Sequence, residues 1–380
     1  MSLYEIKHHS FTPQIIKILT QHFNSDALVI FANSPLLGYI NIKTKSANKG
    51  SKSRGAFANH YALYVIIEDY IKHGFFDNTA KLNYQEYEGA KFSNLLHRQR
   101  ELPFGAKLQN HALNSRLNDE FKKFYPTLNK QPIVRDIEKQ RYWIQENFLN
   151  IKIRQENGNE VIYNIAQAVI DIIEAYTATK KLAFESFIES CQKINQLDIE
   201  NSEQAITFII EQLNPNVDAR IFEIVSYAIL KAQYGQQTIW LGKTKDSVTE
   251  EQLILYKTGR TNANDGGIDF VMRPLGRFFQ VTETIDVNKY FLDIDKVQHF
   301  PITFVVKTTK SSKEVLTTLQ NQALEKYKIE SVVNSYLSAI EEIINSQYLI
   351  NVFKNLITIG KLPDIMDNII QQSKVEFNYF

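Results

Sequence analysis

Asn264-Asp265-Gly266-Gly267-Ile268-Asp269-Phe270-Val271-Met272, a turn at Arg273-Pro274-Leu275-Gly276, then Arg277-Phe278-Phe279-Gln280-Val281-Thr282-Glu283: the fold of the chain is decided by how this stretch is read. Aromatic and β-branched residues fill two short arms, and Pro and Gly stand between them, so it reads as two strands joined in a hairpin. Period two places Gln280 and Thr282 on one face of the second arm and Val281 on the other. Asp269 lies on the first arm. Asp265 precedes two glycines and reads as a turn residue, the glycines letting the chain enter the strand tightly.

Working outward, residues 217–234 carry helical spacing, 238–241 and 252–257 read as strands, and the hairpin follows over 267–272 and 277–284. A short helix, a strand at 302–307 and a helix at 312–327 come next. Helices flanking a compact mixed sheet make this an α/β or α+β unit. Residues 332–372 have apolar positions at helical spacing and read as a helical extension. Upstream, 13–23 reads as a helix, 27–31 and 37–42 as short strands, 46–53 as a loop and 54–71 as a strongly patterned helix. A hairpin is expected over 148–153 and 160–163 around Asn157-Gly158-Asn159, then a helix over 165–178. The polar, acidic stretch 195–203 suggests a boundary, giving three parts: a mainly helical region 1–198, a domain 199–330 and the extension 331–380.

The chain has 380 residues, ample for more than one core. No run of eighteen apolar residues occurs, so no membrane span is expected, and the N-terminus lacks a secretory pattern, which makes the cytoplasm the expected address. A single cysteine, Cys191, excludes an internal disulfide and reads as a core residue. No Gly-x-x-x-x-Gly-Lys phosphate loop and no Cys/His cluster of zinc spacing is present, and His8-His9 reads as a surface pair. The formal net charge is +1, but it is unevenly distributed. Over 41–60 the bases Lys43, Lys45, Lys49, Lys52 and Arg54 occur without an acid, bases again outnumber acids over 91–141, and 185–211 is mostly acidic. A basic N-terminal region of this kind suits a polyanionic partner.

The hairpin resembles the PD-(D/E)XK nuclease superfamily, in which an Asp on one strand and an (Asp/Glu/Gln)-x-Lys tripeptide on the next hold a divalent metal over a phosphodiester. The resemblance covers about a third of the chain. It implies a restriction-endonuclease-like core, with Asp269 as the metal-bridging acid and Gln280-Val281-Thr282 as the tripeptide. Gln280 would add its amide oxygen and Val281 its main-chain carbonyl to a Mg²⁺ shell, Mn²⁺ being a substitute, since hard cations take oxygen ligands. Glu223, the one acid in the apolar stripe of Ile221-Phe222-Glu223-Ile224-Val225, corresponds to a glutamate that many members carry on the first core helix; otherwise it is a solvated helix acid. Thr282 stands where the family has lysine. Either another cation enters the site, with Lys243, Lys257 and Lys307 as candidates, or a bulge brings in Glu283 as a carboxylate.

The segment Ser51-Lys52-Ser53-Arg54-Gly55-Ala56-Phe57-Ala58-Asn59-His60-Tyr61-Ala62-Leu63-Tyr64 is a basic loop running into a helix, the alternative being a solvated loop followed by a core helix. It offers cations and main-chain N–H groups to a phosphate backbone, while Arg, Asn and His can read base edges. It resembles a segment of the amino-terminal parts of some type II restriction endonucleases. Lys49, Lys52, Ser53, Arg54, Asn59 and His60 are the candidate DNA contacts, joined by Arg98, Arg100, Asn114 and Arg116.

Together these readings imply a type II restriction endonuclease, Mg²⁺-dependent and acting on double-stranded DNA, with a homodimer expected for a palindromic target. A structure-specific repair or recombination nuclease, or a non-cleaving DNA-binding protein with a degenerate metal site, are the alternatives. If Arg54 neutralises a phosphate, Arg54→Ala should weaken DNA binding and reduce the slope of log affinity against log salt by about 1. An unchanged slope in a fluorescence-anisotropy titration removes it from the phosphate contacts.

Overall fold

The computed structural model describes residues 5–45, 47, 53–106, 108–155, 158–195, 202–258 and 268–377. The chain divides into two units, Met1–Ser186 and Phe187–Phe380.

In the first unit, helices α1 (Thr12–Phe23), α2 (Ala27–Asn33), α3 (Pro35–Thr44) and α4 (Ser53–Lys72) lead to a short strand β1 (Ala90–Lys91), then α5 (Phe92–Glu101) and α6 (Leu117–Phe124). Strands β2 (Ile133–Asp136) and β3 (Arg141–Ile144) complete a three-stranded sheet in the order β1-β3-β2, and β4 (Asn150–Arg154) pairs antiparallel with β5 (Glu160–Asn164) as the expected hairpin. The turn residue Asn157 lies outside the described residues. Two expectations fail here: 27–31 and 37–42 are helical, not extended. A short apolar run does not distinguish a buried strand from a buried helix. The deciding signal is Ser34-Pro35, because the Ser34 side chain accepts from Leu37 N–H at 3.2 Å and Pro35 occupies the first turn of α3.

Helix α7 (Ala166–Asn195) is longer than the expected 165–178, since Leu182, Ser186 and Ile188 continue a chain with no Pro or Gly to stop it. The unit division accordingly falls after Ser186, upstream of the polar stretch near 198.

The second unit is mixed α/β. Helices α8 (Ser202–Gln212) and α9 (Ala219–Tyr234) precede a two-stranded ribbon, β6 (Thr238–Leu241) with β7 (Thr249–Gln252). The main sheet then forms from β8 (Ile254–Lys257), β9 (Phe270–Arg273), β10 (Arg277–Thr282), β11 (Ile302–Val306) and β12 (Ile340–Asn345), in the order β12-β11-β10-β9-β8. Helix α10 (Val287–Lys296) connects β10 to the parallel β11, α11 (Ser312–Tyr327) and α12 (Glu330–Ser338) connect β11 to the parallel β12, and α13 (Ser346–Thr358) and α14 (Leu362–Phe377) end the chain. The tail beyond residue 330 is therefore not only a helical extension, because β12 is an integral edge strand. Its Ile343-Ile344 pair buries where helical spacing had been read.

Alternation on β10 separates the two faces of the sheet. Phe279 meets Phe270 and Tyr234 of α9, whereas the Gln280 face neighbours Phe304, on which Tyr290 of α10 lies at 4.3 Å between ring centroids. Strand β11 is buried at every position, as suits a central strand covered on both faces. The β9–β10 turn is closed by Gly276 N–H to the Met272 carbonyl at 2.9 Å, with Gly276 at φ +68°, a left-handed conformation that favours glycine. At this end of the sheet Arg277 joins three strands. It donates to Thr303 Oγ1 at 3.0 Å and pairs with Glu341 and Glu342 of β12 at 3.2 and 2.5 Å, while its guanidinium lies 5.1 Å from the Phe279 ring centroid. Truncating it leaves two adjacent carboxylates unpaired beside a buried threonine. Arg277→Ala should thus cost roughly 2–3 kcal/mol in urea unfolding. A change below about 0.5 kcal/mol, the level of an ordinary surface substitution, would show the cluster to be incidental.

Candidate functional site

The opposite end of the sheet gathers the polar residues. Asp269 immediately precedes β9, and its main-chain N–H bonds the Phe279 carbonyl at 3.0 Å. Its carboxylate turns back across the ladder to accept the Val281 N–H at 2.7 Å. Thr258, just past β8, donates to the Asp269 carbonyl at 3.0 Å and also bonds the Ile268 carbonyl. Asp269 is thus held at its main chain and its side chain alike.

Burial pushes the Asp269 pKa up to about 7, with the negative charge of Glu223 adding to the rise. The Val281 N–H and the ammonium groups of Lys289 and Lys257 oppose it. These are the general causes of a perturbed carboxylate, and here desolvation dominates over a like charge, a hydrogen bond and two counter-charges. Glu223 itself forms an ion pair with Lys257 at 2.8 Å. The helix α9 and the strand β8 are fixed one turn away by Tyr227, whose hydroxyl donates to the Leu255 carbonyl at 3.1 Å.

The tripeptide residues take different roles. Gln280 is buried on the α10 face; its Nε2 approaches the Val281 carbonyl at 3.4 Å and its Oε1 has no hydrogen-bond partner. No hydrogen bond joins it to the Asp269 carboxylate among the described residues. Thr282 is buried and accepts at Oγ1 from Lys289 Nζ at 3.0 Å. Glu283, past the end of β10, pairs with Lys307, which is 4 % exposed and also donates to the Val217 carbonyl at 2.7 Å. Of the cations considered from sequence, Lys243 is exposed, Lys307 is committed to Glu283, and Lys257 stands beside Glu223.

Sequence reasoning missed Lys289. Asp286 caps α10 by accepting from Asn288 N–H at 2.9 Å, which starts the helix directly beyond β10. The crossover from β10 through α10 to the parallel β11 starts its helix directly after the strand end, so a lysine in that first turn is the signal that could have identified it.

Among the described residues no group of three or more His, Cys, Asp or Glu side chains could hold a metal. The donors that a hard cation could use here are two carboxylates, Asp269 and Glu223, with the unpartnered Gln280 Oε1 and the Val281 carbonyl as neutral oxygens. The two carboxylates are the number that Mg²⁺, which keeps several waters, commonly takes beside substrate phosphate, while Gln280 stands on the α10 face of the sheet and Glu223 on α9. Asp265 lies outside the described residues.

The candidate DNA contacts of the first unit are more dispersed. Lys49 and Lys52, and the side chains of Ser53 and Arg54, lie outside the described residues. Asn59 and His60 are fully buried in the helix α4, which corrects their assignment as base-reading residues. The pattern that made α4 a strong helix also turns this part of it inward. Asn59 donates to Tyr39 Oη at 2.9 Å and to Glu120 Oε2 at 2.7 Å, and His60 packs against Tyr176 at 4.7 Å between ring centroids. Arg116 pairs with the same Glu120 at 2.9 Å, and Lys43 also contacts it. Arg98 is bidentate on Glu68, with both bonds at 2.9 Å; Arg100 donates to the Leu108 carbonyl at 3.2 Å; Asn114 accepts from Tyr142 Oη at 3.0 Å. Of these, Arg100 and Arg116 are exposed.

No protein-family model, curated protein or solved structure matches the chain. None of the described helices is long and apolar enough to cross a membrane.

Burial, with the Lys43 ammonium adding to it, pushes the His60 pKa down to about 3, while the Ile40 carbonyl pulls the other way. The unfolded chain protonates this imidazole near its ordinary value of about 6.5. The stabilisation is therefore complete above about 6.5 and is lost as pH falls toward 3, by up to about 1.4 kcal/mol per pH unit. Wild type should lose stability on acidification relative to His60→Phe, followed by chemical denaturation at each pH. A difference between the two proteins that stays constant across this range would mean that the imidazole protonates freely in the folded state.

Proposed function

We propose that this chain is a Mg²⁺-dependent endonuclease of the type II restriction kind, cleaving both strands of double-stranded DNA at a specific sequence and working as a homodimer. The reading rests on one observation above all: Asp269, held by the Val281 N–H and raised in pKa by burial and by the charge of Glu223, stands at a sheet end that also carries Lys257 and Lys289. Supporting it is the order of elements: a helix bearing an acid, a strand, a hairpin with the Asp and the Gln-x-Thr on its arms, a crossover helix and a parallel strand. That is the order implied by a PD-(D/E)XK core.

Hydrolysis of a phosphodiester needs a water in line with the leaving oxygen, a means of deprotonating it and neutralisation of the developing charge. A bound Mg²⁺, or Mn²⁺ in its place, supplies the lowered water pKa and the charge neutralisation. Asp269 and Glu223 would hold it, with Gln280 and Val281 contributing neutral oxygens. The Val281 N–H keeps the Asp269 carboxylate aimed, so the acid does not need to reorganise when substrate arrives. Lys289, anchored on Thr282, supplies the positive charge that the tripeptide lacks in its third position. Glu283 keeps its own partner, Lys307, and has no part in the reaction in this scheme.

The basic first unit supplies the DNA contacts. Arg98 and Arg116 sit in ion pairs with Glu68 and Glu120, so a phosphate contact from either would exchange one anionic partner for another. Two-fold symmetry of a homodimer would match that of a palindromic site. The cytoplasm is the compartment in which such an enzyme meets DNA.

Asp269→Asn keeps an oxygen acceptor for the Val281 N–H but removes the ligand charge. Cleavage of supercoiled plasmid with Mg²⁺ should fall by on the order of a thousandfold or more, while DNA affinity by mobility shift stays within about threefold. Discrete plasmid fragments support sequence-specific restriction; cutting confined to flaps or junctions points instead to a structure-specific nuclease. Cleavage retained at the wild-type rate by the variant rejects this site.

A further inference from the structure

Helix α9 and strand β8 meet through two contacts set one helical turn apart. Tyr227 bonds the Leu255 carbonyl, and Glu223, four residues earlier, pairs with Lys257, two residues later. Four helical residues and two strand residues both advance by about 6 Å, so the first contact fixes the register of the second. The ion pair is largely enclosed, with Glu223 at 21 % and Lys257 at 16 % side-chain exposure. A lysine held this way serves no purpose in packing that an apolar side chain could not serve, since burying an ion pair gives little net stability.

The charges explain its presence better. Glu223 acts on Asp269 as a like charge, and Lys257 and Lys289 act on the same Asp269 as counter-charges. Lys289 is anchored on Thr282, whereas the hydrogen-bond partner of Lys257 is the Glu223 carboxylate itself. A divalent cation drawing on Glu223 must compete with that ammonium for the same oxygens and is repelled by it as well.

We propose that Lys257 is an internal counter-ion that holds Glu223 until a divalent cation displaces it, and so sets the cation affinity of the site. This rests on the nuclease reading given above. The consequence is a site that keeps its two carboxylates balanced and in place, but yields one of them only to a cation whose charge exceeds that of the lysine it replaces. Because a phosphate adds negative charge to the same edge, DNA would favour the exchange, so that the cation binds more strongly with substrate than without it.

The test is Mn²⁺ titration by calorimetry on the full chain without DNA, in mildly alkaline buffer, with thermal melts to establish that each variant is folded. Lys257→Met keeps most of the aliphatic stem and removes the charge; Lys257→Gln serves the same purpose if the first variant does not fold. Either should bind Mn²⁺ on the order of tenfold more tightly than wild type, and Lys257→Arg should remain within about twofold of it. Unchanged or weaker binding by the neutral variants, where wild type binds and Asp269→Asn does not, overturns the role of Lys257 and leaves the site intact. Equal binding by wild type and Asp269→Asn, or none by wild type and Lys257→Met alike, overturns the nuclease reading and this inference with it.

Discussion

An ionised carboxylate at the enclosed end of an apolar sheet is costly unless other groups balance it, and the second unit is organised around that requirement at Asp269. The Val281 N–H gives it a hydrogen bond from the neighbouring strand, and Lys257 and Lys289 supply counter-charge, while Glu223 works in the opposite direction. The net effect is a pKa raised above the ordinary carboxylate range, with burial the largest cause. Glu341 and Glu342 at the far end share the single Arg277, whereas here two acids stand with two lysines.

The framework that holds Asp269 is distributed over both faces of the sheet. On one side α9 presents Tyr227 and Glu223, and on the other α10 presents Lys289 from its first turn. The central strand β11 is buried throughout, and the far end of the sheet is tied by Arg277 across β10, β11 and β12. Anchoring at the far end leaves the near end free to carry polar side chains without loss of register. Lys307 and Glu283 then occupy the next position along this edge as a closed pair.

The first unit uses its charges differently. Glu120 collects Asn59, Arg116 and Lys43, and Glu68 engages both sides of the Arg98 guanidinium. Bases that looked unopposed along the chain are therefore matched in space by acids from distant segments. Local excess of positive charge in sequence is a weaker guide to a nucleic-acid surface than it first suggests, because pairing depends on which helices pack together. His60 illustrates the same point from the other side: a residue suited to reading a base is enclosed beside Tyr176 and kept neutral by burial.

Much of the second unit could be read directly. The Pro-Leu-Gly turn, the alternating aromatic arms and the helical spacing over 312–327 led to elements close to those observed, whereas the role of Glu223 beside Asp269 came from the family resemblance and not from the helical stripe itself. The failures have a common cause. Residues 27–31 and 37–42 are too short for apolar spacing to separate strand from helix, and 332–372 hid an edge strand because Ile343 and Ile344 suit either period. Local pattern and turn chemistry fix where elements begin and what they are, since these depend on dihedral preferences of neighbouring residues. Which cation stands beside Thr282, which acid neutralises which arginine, and whether Gln280 meets Asp269 were decided by tertiary structure alone. Coulomb and hydrogen-bond partners act over a few ångströms in space, and no spacing along the chain encodes that distance for Lys289, Lys257 or Glu120.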